Sequence, residues 1–359
     1  MESSVSLLDQ TAVKELVDTH IRYYCEERKN QAKPIGERYV VLWDAIQSLV
    51  LAGGKRLRPY MVVNTYFAYA KNPDITTILP AAVAQELLHA AMLMHDDIID
   101  KDLIRYGVKN IAGQYRDIYA PLINDEQEKN HLSLSAAILA GDMLLSDAHR
   151  LLKSVNLPAE LVIQADEILS NGIFEVIGGE LLDSEVAMYP VGTITAETIA
   201  KYKTASYSFV SPLTMGAVLA GASEKEIHLL TQLSEHLGIG YQLRDDILGM
   251  FGDSAKTGKS TSTDIIEGKR TMLVEAFDRL ANPVQKQRFY ELFHNPKASI
   301  AELQEVRTLI ETAGAKADIE RTIFELEDKA FIIVDQLAIS EEHKQAFYEL
   351  LRTSLKRDI

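Results

Sequence analysis

The chain has 359 residues, of which 47% are hydrophobic and 25% are charged, and its formal net charge is −15. The composition is ordinary for a globular protein, and the negative charge argues against nucleic acid as the main partner, because phosphate backbones require a basic surface. The one cysteine, Cys25, excludes an intramolecular disulfide. No secretory signal is recognisable, and no apolar run approaches the roughly 20 residues that a membrane span requires. We therefore expect a cytoplasmic protein without a membrane span.

Apolar residues recur at spacings of three and four along almost the whole chain, which predicts an all-α fold. Segments such as KPIGER, LAGGKRLRP, KNPD, MYPVGTIT and HNP interrupt this pattern, and they separate about ten or more helices. Thr195 with Thr198, and Ser299 with Glu302, have the spacing of residues that cap a helix at its start. No strict alternation of apolar and polar residues indicates a sheet.

The domain organisation follows from what the chain lacks. It contains no fixed-period repeat, no low-complexity tract and no change of composition that would mark a second domain. We therefore expect one domain over residues 1–359. Within it, residues 1–34 are expected to form an N-terminal helical extension, and residues 284–359 to form C-terminal helices of the same domain.

Two apolar helical stretches end in paired carboxylates. LLHAAMLMHDDIID contains Asp96, Asp97 and Asp100, and GYQLRDDILGMFGD contains Asp245 and Asp246. Residues four apart share a helix face, and like charges at that spacing destabilise a helix. A divalent cation would offset the repulsion, and carboxylate, water and phosphate oxygens suit Mg²⁺. We predict that the two segments line one magnesium-binding mouth; the alternative is two solvated helix ends.

Basic residues cluster in the short loop AGGKRLRP, which holds Lys55, Arg56 and Arg58. Clustered lysine and arginine in an acidic protein indicate an anion site, although a basic loop at a helix start is an equal alternative. The string GDSAKTGKS is not a P-loop, because five residues separate Gly252 from Gly258 where the motif needs four. Carboxylates, a basic cluster and apolar helices together suit a ligand with a diphosphate head and a hydrocarbon tail.

The motifs GGKRLRP, HDDIID, AILAGDMLL, YKT, YQLRDDIL and DIIEGKRT stand in the order and at the spacing of the trans-prenyltransferases, or polyprenyl diphosphate synthases. The chain resembles this family closely over residues 40–280. The resemblance implies an isoprenoid-synthase helical bundle around a deep central cavity, usually in a homodimer. It also implies a head-to-tail condensation of isopentenyl diphosphate with an allylic diphosphate, which yields an all-trans polyprenyl diphosphate. Stabilisation of the departing diphosphate ionises the allylic C–O bond, and the double bond of isopentenyl diphosphate attacks the carbocation. The new cation then loses a proton, which in this family the released diphosphate would accept.

The resemblance implies a role for individual residues. Three Mg²⁺ ions per active site would be bound directly by Asp96, Asp100 and Asp245, with support from Asp97 and Asp246. Isopentenyl diphosphate would be bound by Lys55, Arg58 and His89. The allylic diphosphate would be bound by Arg105, Lys203, Lys259 and Lys269. Thr204 and Gln242 would flank the reacting carbon. A lone histidine in an apolar helix is often only a core residue, but His89 lies two turns before Asp96 on the same face.

Two positions depart from the family pattern. Tyr106 stands where a second arginine usually follows the first acidic segment, and that arginine commonly helps to bind isopentenyl diphosphate. A tyrosine donates one hydrogen bond and carries no charge, so we expect weaker binding of this substrate. Gly249 stands where many relatives have a third aspartate in the second acidic segment, and the sequence leaves open whether Asp253 replaces it.

Product length in this family depends on side-chain bulk beneath the first acidic segment. Ala91 and Met92 lie about 6–8 Å up the helix from Asp96, and neither they nor Leu88 and Ala84 are aromatic. We therefore expect a product of twenty carbons or more. A neighbouring helix, such as residues 143–151, or a partner subunit could still supply a plug and restrict the enzyme to a farnesyl-length product.

Three rival interpretations remain. A terpene cyclase of the same fold would share the first acidic segment, but cyclases generally lack GGKRLRP and the second aspartate pair. A catalytically weak or regulatory subunit of a heteromeric synthase would typically lose its acidic motifs, and here only the tyrosine at 106 raises that question. A helical scaffold would not require the ordered motifs. For a prenyl synthase we also expect transient membrane contact when the apolar product leaves.

Overall fold

The computed structural model describes residues 9–189, 192–252 and 263–355. The first helices are α1 (Gln10–Ala32), α2 (Glu37–Leu51), α3 (Leu57–Tyr69), α4 (Ile75–Ile99), α5 (Ile111–Tyr119), α6 (Glu126–Leu152) and α7 (Ala159–Glu185). A short 3₁₀ turn (Val186–Met188), α8 (Ala196–Ile199), a π-helix (Ala200–Val210), α9 (Ser211–Leu219) and α10 (Glu224–Phe251) follow. The last helices are α11 (Thr263–Glu267), α12 (Met272–Leu280), α13 (Pro283–Leu292), α14 (Ile300–Thr312), α15 (Ala315–Gln336) and α16 (Glu341–Leu355). The predicted all-α fold is confirmed.

Helix starts are set by side-chain caps that the sequence predicts. The hydroxyl of Thr195 accepts a hydrogen bond from the backbone N–H of Thr198 at the start of α8. Ser299 and Glu302 form a reciprocal capping box at the start of α14. Such caps satisfy backbone N–H groups that have no partner inside the helix, so they determine where each helix begins.

One small sheet contradicts the expectation that no strands would form. Strand β1 (Ile104–Arg105) pairs antiparallel with β2 (Val108–Lys109). The two residues of the turn, Tyr106 and Gly107, have φ values of 53° and 76°. Positive φ at both central residues matches the twist of a tight hairpin, so the turn rather than an alternating pattern determines the sheet. Two-residue strands are too short to show a period in the sequence.

The chain divides into two compact units. Unit 1 comprises Met1–Asn171 with Pro212–Ser223, and unit 2 comprises Gly172–Ser211 with Glu224–Ile359. The expectation of a single domain over residues 1–359 stays a prediction.

Unit 1 is organised around helix α4, which packs against α3 and α6. Leu87 and Leu88 of α4 are almost fully buried, as are Ile21 of α1 and Trp43 of α2. By length and composition alone α4 could cross a membrane. This differs from the expectation that no apolar segment approaches the length of a membrane span. Because 61% of its most apolar window is buried inside the protein, α4 is a core helix of unit 1.

Unit 2 is organised around helix α10, which packs against the π-helix and α15. Its core includes the apolar face of α10 and a group of stacked aromatic rings. Ring centroids of Phe277 and Phe289 lie 4.4 Å apart, and those of Phe289 and Phe293 lie 4.7 Å apart. Ile247 and Met250, in the last turns of α10, belong to this core. The core therefore holds the acidic end of α10 in place.

Candidate active site

The three aspartates of the first acidic segment lie at the end of α4 and differ in exposure. Asp97 is 3% exposed, Asp96 is partly buried, and Asp100 is exposed. Arg105, on strand β1, donates from Nε to Oδ1 of Asp97 over 2.7 Å and from Nη2 to Oδ2 of Asp96 over 3.0 Å. The guanidinium of Arg105 therefore offsets part of the repulsion between these aspartates. The sequence analysis expected a metal ion alone to do so. The predicted role of Arg105 in binding the allylic diphosphate stays a prediction.

Asp97 is the most deeply buried carboxylate of the first acidic segment. Burial raises the pKa of this carboxyl group, while the hydrogen bond and charge of Arg105 act in the opposite direction. Its Oδ2 is buried and accepts no hydrogen bond within the described part of the chain. A buried oxygen without a partner costs free energy. A cation or a water molecule at the end of α4 would remove that cost.

A pocket in unit 1 lies beside this segment. The residues that line it are Leu49, Val50, Arg56, Glu86, His89, Ala90, Leu93, Arg105 and Tyr106. Burial, together with the positive charges of Arg58, Arg105 and Arg56, lowers the pKa of His89 well below its ordinary value. The lowered pKa favours the neutral imidazole. The roles of His89 and Arg58 in binding isopentenyl diphosphate stay predictions. Lys55 lies in the loop that precedes α3 and is exposed, while Arg58 lies in the first turn of α3.

Arg56 corrects the interpretation of the basic loop as a uniform anion site. Its side chain is 3% exposed. Nε donates to Asp18 and Nη1 donates to Glu86, each over 2.7 Å, while Nη2 donates to the carbonyl oxygen of Val50 over 2.6 Å. Arg56 has a φ of 52°, which is unusual for a residue other than glycine. The buried carboxylates explain why this cation is structural, and sequence spacing alone did not reveal that pairing.

Tyr106 fills part of the space beside the basic loop. A Cβ atom added to Gly53 would lie only 2.8 Å from Cγ of Tyr106, so the ring packs directly against that glycine. Burial and the negative charge of Glu86 raise the pKa of the Tyr106 hydroxyl. The residue therefore offers a neutral hydroxyl to the pocket, where the family pattern would place a cation.

The second acidic segment lies at the end of α10 in unit 2. Thr204 of the π-helix donates its hydroxyl hydrogen to Oε1 of Gln242 over 2.6 Å, and Gln242 Nε2 donates to Oδ1 of Asp246 over 2.8 Å. The structure thus joins three predicted site residues in one chain of hydrogen bonds. Burial raises the pKa of Asp246 to about 7, with contributions from the charges of Asp264 and Asp245, while the hydrogen bond from Gln242 lowers it.

Lys203 is held by two carboxylates that the sequence analysis missed. Its Nζ donates to Oδ2 of Asp183 over 2.5 Å and to Oε1 of Glu180 over 3.1 Å. The π-helix, a form that often marks functional sites, carries Lys203 and Thr204. Gly179 permits this approach, because a Cβ atom there would lie 2.2 Å from the backbone nitrogen of Lys203. The sequence contains one signal for these two carboxylates. It is GGELLD, residues 178–183, in which two glycines precede carboxylates that are three residues apart.

The remaining predicted residues are placed as follows. Lys269 lies with Nζ 3.5 Å from Glu267 and 4.0 Å from Asp264. Lys259 and Asp253 lie outside the described residues. The expected chain-length residues Leu88, Ala91 and Met92 are all buried in α4. Their expected effect on product length stays a prediction.

The donor atoms at both acidic segments fit magnesium. They are carboxylate oxygens, which this hard cation prefers, and Oδ2 of Asp97 accepts no hydrogen bond from the residues that the structure describes. At the end of α10, the charges of Asp245 and Asp264 act on the buried Asp246. In the described ranges, no group of three or more histidine, cysteine, aspartate or glutamate side chains is close enough to hold a metal ion by itself. An ion at either segment would complete its coordination with oxygens of water or substrate, as Mg²⁺ usually does.

Comparison with known proteins gives a consistent result. The family described as polyprenyl synthetase matches residues 40–310. The chain is 34% identical to a short chain isoprenyl diphosphate synthase of Methanocaldococcus jannaschii over 267 residues, which cover 74% of each protein. It is 32% identical to a geranylgeranyl diphosphate synthase of Methanosarcina mazei over 271 residues, which cover 75% of this chain and 76% of that protein.

A solved structure shows the same fold. The geranylgeranyl pyrophosphate synthase of Corynebacterium glutamicum, solved as a complex with isoprenyl diphosphate and magnesium, superposes with a TM-score of 0.89 and 31% identity. The superposition covers 98% of this chain and 100% of that one. The all-α fold predicted from the helical pattern is confirmed, and it is the isoprenoid-synthase fold that the family resemblance implied. The chain belongs to the polyprenyl synthetase family and is an enzyme of the polyprenyl diphosphate synthase class, a trans-prenyltransferase.

Proposed function

We propose that the enzyme condenses isopentenyl diphosphate with allylic diphosphates, in a Mg²⁺-dependent reaction, to give an all-trans polyprenyl diphosphate of twenty carbons or more. The observation that carries this proposal is the arrangement at the end of α10. There, Thr204, Gln242 and Asp246 form one chain of hydrogen bonds, and Asp245 and Asp264 add their charges. Neutral oxygens beside carboxylates suit a site where positive charge develops on carbon next to a diphosphate.

Two separate groups of side chains would bind the two diphosphate substrates. Lys55, Arg58 and neutral His89 would bind isopentenyl diphosphate. Arg105, Lys203, Lys259 and Lys269 would bind the allylic diphosphate, and Arg105 and Lys203 would then exchange their present carboxylate partners for phosphate oxygens. Bound Mg²⁺ supplies Lewis acidity that stabilises charge on the leaving diphosphate. Thr204 and Gln242 would orient the reacting carbon, and exclusion of water would protect the carbocation from hydrolysis.

Product length is the finer part of the proposal. Ala91 and Leu88 are buried in the middle of α4, and neither is aromatic. Small and aliphatic side chains leave more room for a growing chain than aromatic rings do. The named relatives include a geranylgeranyl diphosphate synthase and a short chain synthase, which is consistent with a twenty-carbon product. A farnesyl-length product is the alternative.

One assay tests the activity. The purified protein is incubated with Mg²⁺, labelled isopentenyl diphosphate and, in turn, dimethylallyl, geranyl or farnesyl diphosphate, and the products are sized by chromatography. We expect products of twenty carbons or more, and no product after the metal is removed with EDTA. Asp245→Asn should lower the rate by at least about 10–100-fold, because it removes a proposed magnesium ligand.

Asp117→Asn is the matched control, because Asp117 is an exposed surface carboxylate that pairs with Lys109. It should leave the rate unchanged. A protein that binds both substrates and forms no product would support the regulatory-subunit alternative instead. We also propose that the enzyme is a cytoplasmic homodimer that contacts a membrane only when it releases product. Light scattering of the purified protein tests the dimer, and sedimentation with vesicles tests the membrane contact.

A further inference from the structure

The second acidic segment has a glycine, and so no side chain, at residue 249 of α10. Gly249 lies four residues after Asp245, on the same face of the helix. Many prenyl synthases have an aspartate at this position, so α10 by itself offers one carboxylate fewer. The space beside Gly249 is nevertheless occupied.

Asp264, on α11, fills that space. A Cβ atom added to Gly249 would lie 2.4 Å from Oδ2 of Asp264 and 3.5 Å from its Cγ. The carboxylate of Asp264 therefore lies where a side chain of residue 249 would begin. The negative charge of Asp264 also helps to raise the pKa of Asp246, and it does so more strongly than the charge of Asp245.

The backbone around Asp264 is anchored. Ile265 is fully buried in the core that includes Ile247 and Met250 of α10. The carbonyl oxygen of Ile265 accepts a hydrogen bond from the backbone N–H of His294 over 2.9 Å, and that of Asp264 accepts one from Lys269 over 3.0 Å. These contacts fix the short helix against α10, so the position of the carboxylate is a property of the fold.

We propose that Asp264 supplies the third carboxylate of the second acidic segment, entering from α11 into the space that Gly249 leaves open. In this role it is a positioning residue that raises the affinity of the segment for Mg²⁺. The inference rests on the proposed function, and it explains how a chain without an aspartate at 249 keeps the negative charge of that site.

Metal binding without substrate tests the proposal. Mn²⁺, a paramagnetic substitute for Mg²⁺, is titrated into the full-length protein and followed by electron paramagnetic resonance. Asp96→Asn, Asp97→Asn and Asp100→Asn are present in every protein compared, so that the first acidic segment has no carboxylate left to bind the ion. Asp264→Asn should raise the Kd for Mn²⁺ about tenfold, the loss typical of residues that support a metal ligand.

Glu267→Gln is the matched control, because it removes a negative charge from the same short helix, where Glu267 is 48% exposed and lies 3.5 Å from Lys269. It should leave the Kd unchanged. Gly249→Ala should also weaken Mn²⁺ binding, because its Cβ would displace the carboxylate of Asp264. The double variant Gly249→Asp with Asp264→Ala moves the carboxylate onto α10 and should recover most of the affinity.

Asp245→Asn separates the two proposals. If Asp264→Asn leaves the Kd unchanged while Asp245→Asn weakens binding, the inference about Asp264 is wrong and the proposed function stands. If both Asp264→Asn and Asp245→Asn leave the Kd for Mn²⁺ unchanged, the proposed binding of magnesium by the second acidic segment is also wrong. Failure of the double variant to recover affinity, with its thermal unfolding midpoint unchanged, would show that Asp264 does not replace a side chain at 249.

Discussion

At the scale of single residues, Arg56 shows how neighbours decide the role of a charge. Lys55 is exposed while Arg56 is buried, although both belong to one basic loop. The difference arises from Asp18 and Glu86, which lie 38 and 30 residues away in sequence and both bind the guanidinium. A sequence window around the loop contains neither carboxylate.

Replacing Arg56 by methionine should destabilise the enzyme by about 3–5 kcal/mol, because it leaves two buried carboxylates without their cation. Urea unfolding followed by circular dichroism measures this difference. Lys14→Met is the control: Lys14 also pairs with Asp18, but its side chain is 39% exposed, so its loss should cost less than about 1 kcal/mol. Equal effects of the two changes would contradict a structural role for Arg56.

Tyr106 supports a second prediction at this scale. Tyr106→Arg places a cation in a pocket that already holds His89 and Arg105, so the KM for isopentenyl diphosphate should fall with little change in kcat. Steady-state kinetics at saturating allylic substrate measures it. Tyr106→Phe, which keeps the ring against Gly53 and removes only the hydroxyl, is the control and should not lower KM. The interpretation of Tyr106 as a weakening departure is wrong if the arginine variant shows no decrease.

At the scale of secondary-structure elements, close helix contacts position the site. The π-helix packs against α7 at Gly179 and against α10 at Gly238, where a Cβ atom would lie 2.3 Å from Cβ of Ala205. The π-helix between them carries Lys203 and Thr204. Glycines at these two positions allow the backbones to approach, and this brings the lysine to Asp183 and the threonine to Gln242.

Two neighbouring glycines of α7 give a matched test of this packing. Gly179→Ala puts a Cβ 2.2 Å from the backbone nitrogen of Lys203, so the backbones must separate, at a cost of about 1–3 kcal/mol. Activity should fall as Lys203 and Thr204 shift. Gly178→Ala meets no atom within 4 Å and should instead stabilise the helix by about 0.5–1 kcal/mol. Thermal unfolding and initial rates measure both changes, and similar behaviour of the two variants would argue against the packing role.

At the scale of the whole molecule, we expect the length of the product to depend on the bulk of several side chains. Ala91→Phe should shorten the product, because a ring would block the space below the first acidic segment. Ala84→Phe, about 10 Å further from that segment along α4, should restrict length less. Product chromatography compares the two, and the thermal unfolding midpoint controls for overpacking, since both alanines are fully buried. An unchanged product from Ala91→Phe would remove α4 as the determinant of length.

The sequence alone determined the all-α fold and the family, while its assignment of roles to site residues stays a prediction. Helical periodicity, caps and acidic motifs involve residues that are close in sequence, so they can be recognised without the tertiary structure. The order of GGKRLRP, HDDIID, YKT, YQLRDDIL and DIIEGKRT identified the family before any contact was known.

Only the tertiary structure decided which charges meet. It paired Lys203 with Glu180 and Asp183, buried Arg56, joined Arg105 to Asp96 and Asp97, and placed Asp264 beside Gly249. These partners come from different elements, and their distances depend on how helices pack rather than on spacing along the chain. Burial then decides which charges need a partner, because an isolated charge is costly in the interior and inexpensive at the surface.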